Sequence, residues 1–138
     1  MNTTKEGQII GVMNEFLSIW ASRDTGALMS YWSPNVTLYG TGADEKRIGK
    51  DEVRLQIERD FTQSEAFSCT LDWNQVGTNG NVAWIASDVT LTVKVPGVDE
   101  MSFPARLSTV MQNYDGRWLF EHFHLSVAAA GQEEGESF

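Results

Sequence analysis

The chain has 138 residues, enough for one domain and too few for two. Hydrophobic residues make up 41%, with five Trp and seven Phe, so a substantial core is available and neither a disordered nor a disulfide-stapled class fits. The net charge of −9 repels phosphate backbones and argues against a nucleic-acid partner.

The N-terminus is polar (MNTTKEGQ), and neither a secretory signal nor an anchor is expected from it. No run approaches the ~18 apolar residues of a membrane span, so no membrane partner is expected. Thr3-x-x-Glu6 has the form of a capping box that opens a helix. Ile9, Ile10, Met13, Phe16, Leu17 and Trp20 follow at helical spacing and form one apolar stripe. Asp24 is placed to cap a short second helix carrying Leu28, Met29 and Trp32, which Pro34 ends. Val36 to Tyr39 reads as a short strand, and the turn-rich GTGAD that follows reads as surface. A third helix is predicted from about Lys50 to Gln63, with Val53, Ile57 and Phe61 on one face.

The period changes after Ser64. Phe67 to Val76 alternates as a strand does, and Asn79-Gly80 is a hairpin signal. Cys69, in that strand, is the only cysteine, so no intramolecular disulfide is possible and a reducing, cytoplasmic setting is expected. Val82 to Val95, Phe103 to Tyr114 and Arg117 to Val127 read as further strands, the last two joined by Asp115-Gly116. Helices come first and antiparallel strands later, which makes the class α+β. Residues 1–128 are expected to form the domain, and 129–138 an acidic flexible tail.

Three pieces taken together resemble the nuclear-transport-factor-2-like superfamily, its SnoaL-like branch in particular, and the association domain of calcium/calmodulin-dependent protein kinase II. They are Trp20-Ala21-Ser22-Arg23-Asp24 closing the first helix, Gly49-Lys50-Asp51 opening the third, and the hairpin YDGRWLFEHFHLS from Tyr114 to Ser126. The most specific is the W-x-x-x-H-x-H-x-S pattern of the last strand. The resemblance covers roughly residues 6 to 128. It implies a cone in which three helices pack on a curved sheet, a ligand pocket inside the cone, and a homodimer formed through the convex sheet face.

Strand parity assigns residues to the two faces. Leu119, Glu121, Phe123 and Leu125 share one side of the last strand, while Trp118, Phe120, His122, His124 and Ser126 share the other. On the preceding strand Leu107, Thr109 and Met111 oppose Arg106 and Ser108. On the long strand Ile85, Val89 and Leu91 oppose Trp84 and Asp88. The more apolar set is assigned to the core and pocket. A bulge would reverse this assignment locally. The expected pocket is then Phe16, Trp20, Trp32, Val53, Ile57, Phe61, Val89, Leu107, Thr109, Met111, Phe123 and Leu125. The expected dimer interface holds Arg106, Ser108, His122 and His124.

The candidate chemistry is sparse. His122 and His124 point the same way, but a zinc site needs a third ligand, and nothing fixes the distance to Asp88. No metal or other cofactor is expected. The steroid-isomerase-like set implied by the superfamily is missing: the first strand has no carboxylate, the later-strand position is Thr109, and the first helix has no Tyr. The arginines that line the kinase domain's pocket are replaced by Val89, Thr109 and Leu125, which argues against a carboxylate ligand. Glu121 is the one ionisable residue of the apolar face of the last strand, and desolvation there would raise its pKa towards general-base range. Tyr39 is a second candidate acid/base group. The leading expectation is a homodimeric domain that binds a small apolar ligand. The alternatives are a lyase or isomerase acting on a small apolar carbonyl compound, and a non-catalytic oligomerisation module.

Overall fold

The computed structural model describes residues 4–138. In chain order these form α1 (Lys5–Ser22), α2 (Thr25–Met29), β1 (Trp32–Tyr39), β2 (Lys46–Ile48), α3 (Lys50–Thr62), β3 (Ala66–Asn79), β4 (Val82–Lys94), β5 (Met101–Tyr114) and β6 (Arg117–Ser126). The capping box expected at Thr3 falls outside the described residues. Thr4 is the residue that caps α1, its hydroxyl accepting from the Gly7 N–H at 3.0 Å. The helix buries Ile9, Met13, Phe16 and Leu17 and ends at Arg23, which adopts the left-handed conformation (φ 64°).

Asp24 caps α2 as expected, accepting from the Ala27 N–H at 3.0 Å. The helix stops at Met29, however, and Trp32 opens β1. Sheet pairing decides this. The Phe120 N–H donates to the Tyr31 carbonyl at 2.8 Å, and Trp32 stands opposite Phe120. Pro34 lies inside β1, at the register shift between Trp32 and Thr37, where its missing N–H breaks no ladder bond. The three-residue β2 was not foreseen. It returns from the GTGAD turn to pair antiparallel with the end of β1.

The six strands form one sheet in the order β2-β1-β6-β5-β4-β3. The last four make an antiparallel meander, and β1 joins β6 in parallel. The β5–β6 turn uses Asp115 and Gly116, both at positive φ (53° and 93°). The β3–β4 turn sits one residue later than expected: Asn79 pairs with Val82, which leaves Gly80 and Asn81 at the tip. Of these two, Gly80 carries the positive φ (60°).

The faces of β4 and β5 follow the parity reading. Ile85, Val89, Leu91, Leu107, Thr109 and Met111 are buried, and Trp84, Asp88, Arg106 and Ser108 are exposed. On β6 the reading fails halfway. Val110 pairs with His122 but Met111 pairs with Phe120, so Glu121 is an extra residue with no partner. This bulge flips the first half of the strand. Trp118 and Phe120 are therefore buried, at 7% and 0% exposure, and Phe123 still faces inward beyond the bulge. Phe16 lies at the centre of the aromatic core, 4.9 Å from Phe120, 5.4 Å from Trp32 and 5.7 Å from Phe123 between ring centroids.

Candidate functional site

The helices do not fill the concave side of the sheet. A cavity of about 630 Å³ remains between α1, α3 and the strands, and the β1–β2 turn borders it. Of the residues expected to line a pocket, Phe16, Trp20, Trp32, Ile57, Phe61, Phe123 and Leu125 are in its wall. Val53, Val89, Leu107, Thr109 and Met111 are not; each is packed into the core at 2% exposure or less. The GTGAD turn, expected at the surface, supplies Gly40 and Thr41 to the cavity wall, and Glu45 follows directly. Two buried polar atoms have no hydrogen-bond partner among the described residues, the Trp32 indole nitrogen and the Thr109 hydroxyl.

Of the two residues expected to carry acid/base chemistry, Tyr39 borders the cavity and Glu121 does not. Glu121 is the bulged residue of β6 and is absent from the cavity wall. Its carboxylate accepts from the Tyr114 hydroxyl, which also lies 3.3 Å from the Ser33 hydroxyl. Tyr39 reaches the rim of the cavity, but its ring packs on the outer face, 5.2 Å from His124 and 6.2 Å from His122. His122 Nδ1 lies 2.7 Å from the Thr37 hydroxyl. Arg106 and Asp88 stand opposite each other on β5 and β4, yet Arg106 turns to Ser126 at 3.4 Å. Among the described residues no group of three or more His, Cys, Asp or Glu is arranged to hold a metal.

The cavity wall holds two carboxylates, Glu45 and Asp60, the latter on the last turn of α3. Burial pushes the Asp60 carboxyl up from 3.8 to about 6, against the lowering effect of a hydrogen bond from Gln56. The Glu45 charge raises it further, while Arg59 and Arg47 pull it down. Gln56 is 3% exposed and organises this wall. Its side-chain nitrogen donates to Asp60 Oδ1 at 2.7 Å and to Glu45 Oε1 at 2.9 Å. Its oxygen accepts from Arg47 Nε at 3.0 Å. The two carboxylates are thus held on one amide, one from the helix and one from the turn. Arg59 pairs with Asp44 at 2.8 Å and lies 4.0 Å from Glu45 Oε1.

A second tie fixes where α3 ends. The Arg23 guanidinium, at the close of α1, donates to the carbonyls of Phe61 and Ser64 and to the Ser64 hydroxyl. It also lies over the Phe61 ring, 4.9 Å from the centroid. These bonds satisfy the Phe61 carbonyl in the last turn of α3 and the Ser64 carbonyl just beyond it. They hold Asp60 and Phe61 against the cavity. This gives the Arg23 of the W-A-S-R-D segment a physical role.

The family model of the SnoaL-like domain matches residues 9–130. The chain belongs to the SnoaL-like family. Solved structures resemble this SnoaL-like domain throughout its length. A Xanthomonas campestris protein, provisionally named a calcium/calmodulin-dependent protein kinase II association domain, has a TM-score of 0.80 at 18% identity, over 89% of this chain and 87% of that one. A Streptomyces avermitilis protein provisionally named a dehydratase of the nuclear-transport-factor-2-like family has a TM-score of 0.80 at 17% identity, covering 92% and 100%. A nuclear-transport-factor-2-like protein of unknown function from Pseudomonas putida KT2440 has a TM-score of 0.81 at 17% identity, covering 98% and 92%. At such identities the likeness concerns the fold. No curated protein matches the SnoaL-like chain. No helix among its described residues is long and apolar enough to cross a membrane.

Sequence reasoning passed over Asp60 and Gln56. The apolar positions Val53, Ile57 and Phe61 mark the inner face of α3, and residues 56 and 60 belong to that same face at helical spacing. Two polar residues at inward positions were the available signal.

Proposed function

We propose that this SnoaL-like domain binds a small, largely apolar organic molecule in the cavity between its helices and its sheet. The observation that carries this reading is a mainly aromatic and aliphatic cavity of about 630 Å³ whose wall includes the hydrogen-bonded group Gln56, Asp60 and Glu45. That is the usual composition of a small-molecule site. A neutral bicyclic probe, 2-(2-naphthyl)ethanol, is expected to bind one per chain by calorimetry. Val93→Trp, which fills the cavity from β4, is expected to expel it. No binding to the wild type, or an unchanged Kd in the variant, would count against the reading.

The position of Asp60 favours a second, catalytic reading. A carboxyl with a pKa of about 6 beside an apolar cavity can both take and return a proton near neutral pH. This suits lyase or isomerase chemistry on a carbonyl compound, with Asp60 replacing Glu121 and Tyr39 as the acid/base group. Its test is exchange of the activated C–H protons of 2-tetralone in heavy water. The wild type is expected to accelerate exchange and Asp60→Asn to abolish the acceleration; equal rates in both would exclude the role.

The domain is also proposed to form a homodimer through the outer face of the sheet, where Arg106, Ser108 and His124 are exposed beside the half-buried His122. Trp84 adds apolar area to that face at 46% exposure. A reducing, cytoplasmic setting suits Cys69, whose buried thiol is pushed up to about 12 by desolvation and then by Asp72.

A further inference from the structure

We infer that the cavity selects its guest by charge, and that the preferred guest is an organic cation, an apolar ring system carrying a protonated amine. The inference rests on the reading of the cavity as a binding site, not on the proton-transfer reading.

Three observations carry it. The first is the sign of the wall. Among the described residues the cavity is lined by two carboxylates, Asp60 and Glu45, and by no Lys, Arg or His. The second is that the nearby arginines already have partners within the protein, and none of them lines the cavity. Arg47 donates to Gln56, and Arg59 pairs with Asp44 at 2.8 Å and more loosely with Glu45 at 4.0 Å. Arg23 serves the carbonyls at the end of α3. An arriving anion would meet two carboxylates and no cationic side chain in the wall. An arriving ammonium would find Asp60, whose Oδ1 already accepts from Gln56 and whose second oxygen has no partner among the described residues.

The third observation is the aromatic surround. Trp20 and Phe67 lie with ring centroids 4.5 Å apart in the wall, and Phe61 flanks Asp60 in sequence. Ring faces attract cations, and Phe61 already holds one of the protein's own, Arg23. A carboxylate beside aromatic faces is the usual environment for a hydrophobic ammonium. The net charge of −9 acts in the same direction at long range, drawing cations and repelling anions during encounter.

The test uses three probes with one ring system and three charges: 2-(2-naphthyl)ethylamine, 2-(2-naphthyl)ethanol and 3-(2-naphthyl)propionate. Each is titrated calorimetrically into the full chain at pH 7.5. The amine is expected to bind at least about tenfold more tightly than the alcohol, and the carboxylate more weakly than either. Asp60→Asn is expected to bring the amine down to the affinity of the alcohol, and Glu45→Gln to reduce the preference in the same direction. If the alcohol binds but the amine has no advantage, or if the advantage survives both substitutions, charge selection is wrong while the binding site stands. If none of the three binds, both readings fall.

Discussion

The Gln56 side-chain amide donates to Asp60 Oδ1 over 2.7 Å, one helical turn away on α3. The same nitrogen holds Glu45 at 2.9 Å, so one buried amide positions both carboxylates of the cavity wall. This contact lowers the Asp60 pKa, yet burial outweighs it, and the carboxyl stays near 6. The energetic consequence is measurable.

Asp60→Asn should stabilise the protein at alkaline pH. The folded pKa lies above the unfolded value, so the group favours folding when protonated. That contribution is complete below about 4 and is lost as pH rises through about 6. The full displacement corresponds to about 3 kcal/mol. Solvent at the cavity mouth screens part of it, so roughly 1–2 kcal/mol is expected. Urea denaturation at pH 5 and pH 8 should show the advantage of the variant growing by about half of that amount, the rest having developed between pH 4 and pH 5. An advantage that shrinks with pH would reverse the sign and refute the assignment.

Phe120→Ala should cost about 3–5 kcal/mol, and Leu119→Ala less than about 1 kcal/mol. Phe120 is fully buried against Phe16 and Trp32, whereas its neighbour points to the other side of β6. Simple alternation from Phe123 gives the opposite order. Equal costs, or a larger cost at Leu119, would mean that the bulge at Glu121 is absent in solution.

Part of this molecule was legible in its sequence. The faces of β4 and β5 were read correctly because their alternation runs unbroken from Val82 to Leu91 and from Ala105 to Met111. The class and the order of the main helices and strands followed from the change of period after Ser64. The second half of the reading failed where tertiary pairing overrides local pattern. Glu121 looks like an inward residue because nothing in RWLFEHFHLS marks the added residue of a bulge. Trp32 fits a helix until β6 claims it as a strand. The charged triplet of β2 has no strand pattern and exists through its pairing with β1. Asp60 was hidden for a simpler reason: it is a polar residue on a face identified by its apolar ones.

Arg23→Ala should destabilise the protein by about 2 kcal/mol, since a charged donor to the α3 carbonyls is lost. Arg23→Lys should recover less than half of that. A single ammonium cannot reproduce a fork that reaches Phe61 and Ser64 at once. Thermal melts of the three proteins would decide; full rescue by Lys would mean that charge alone matters there.

Trp84→Glu should convert a dimer to a monomer. The residue is exposed on the outer face, its ring lying over Gly77 of β3, where a methyl group would come within 2.1 Å of it. A carboxylate in the middle of a buried interface is strongly unfavourable. Sedimentation equilibrium should give twice the chain mass for the wild type and the single mass for the variant. A monomeric wild type would remove the proposed interface.

The most direct test of the site is the titration of the Asp60 carboxyl itself, followed by carbon-13 NMR in the unliganded wild type. The account requires a midpoint near 6, because the carboxyl lies in an apolar wall and is held by Gln56 beside Glu45. A midpoint at or below the ordinary 3.8 would show a solvated carboxylate, and would contradict the assignment of Asp60 as the proton-active group of the cavity.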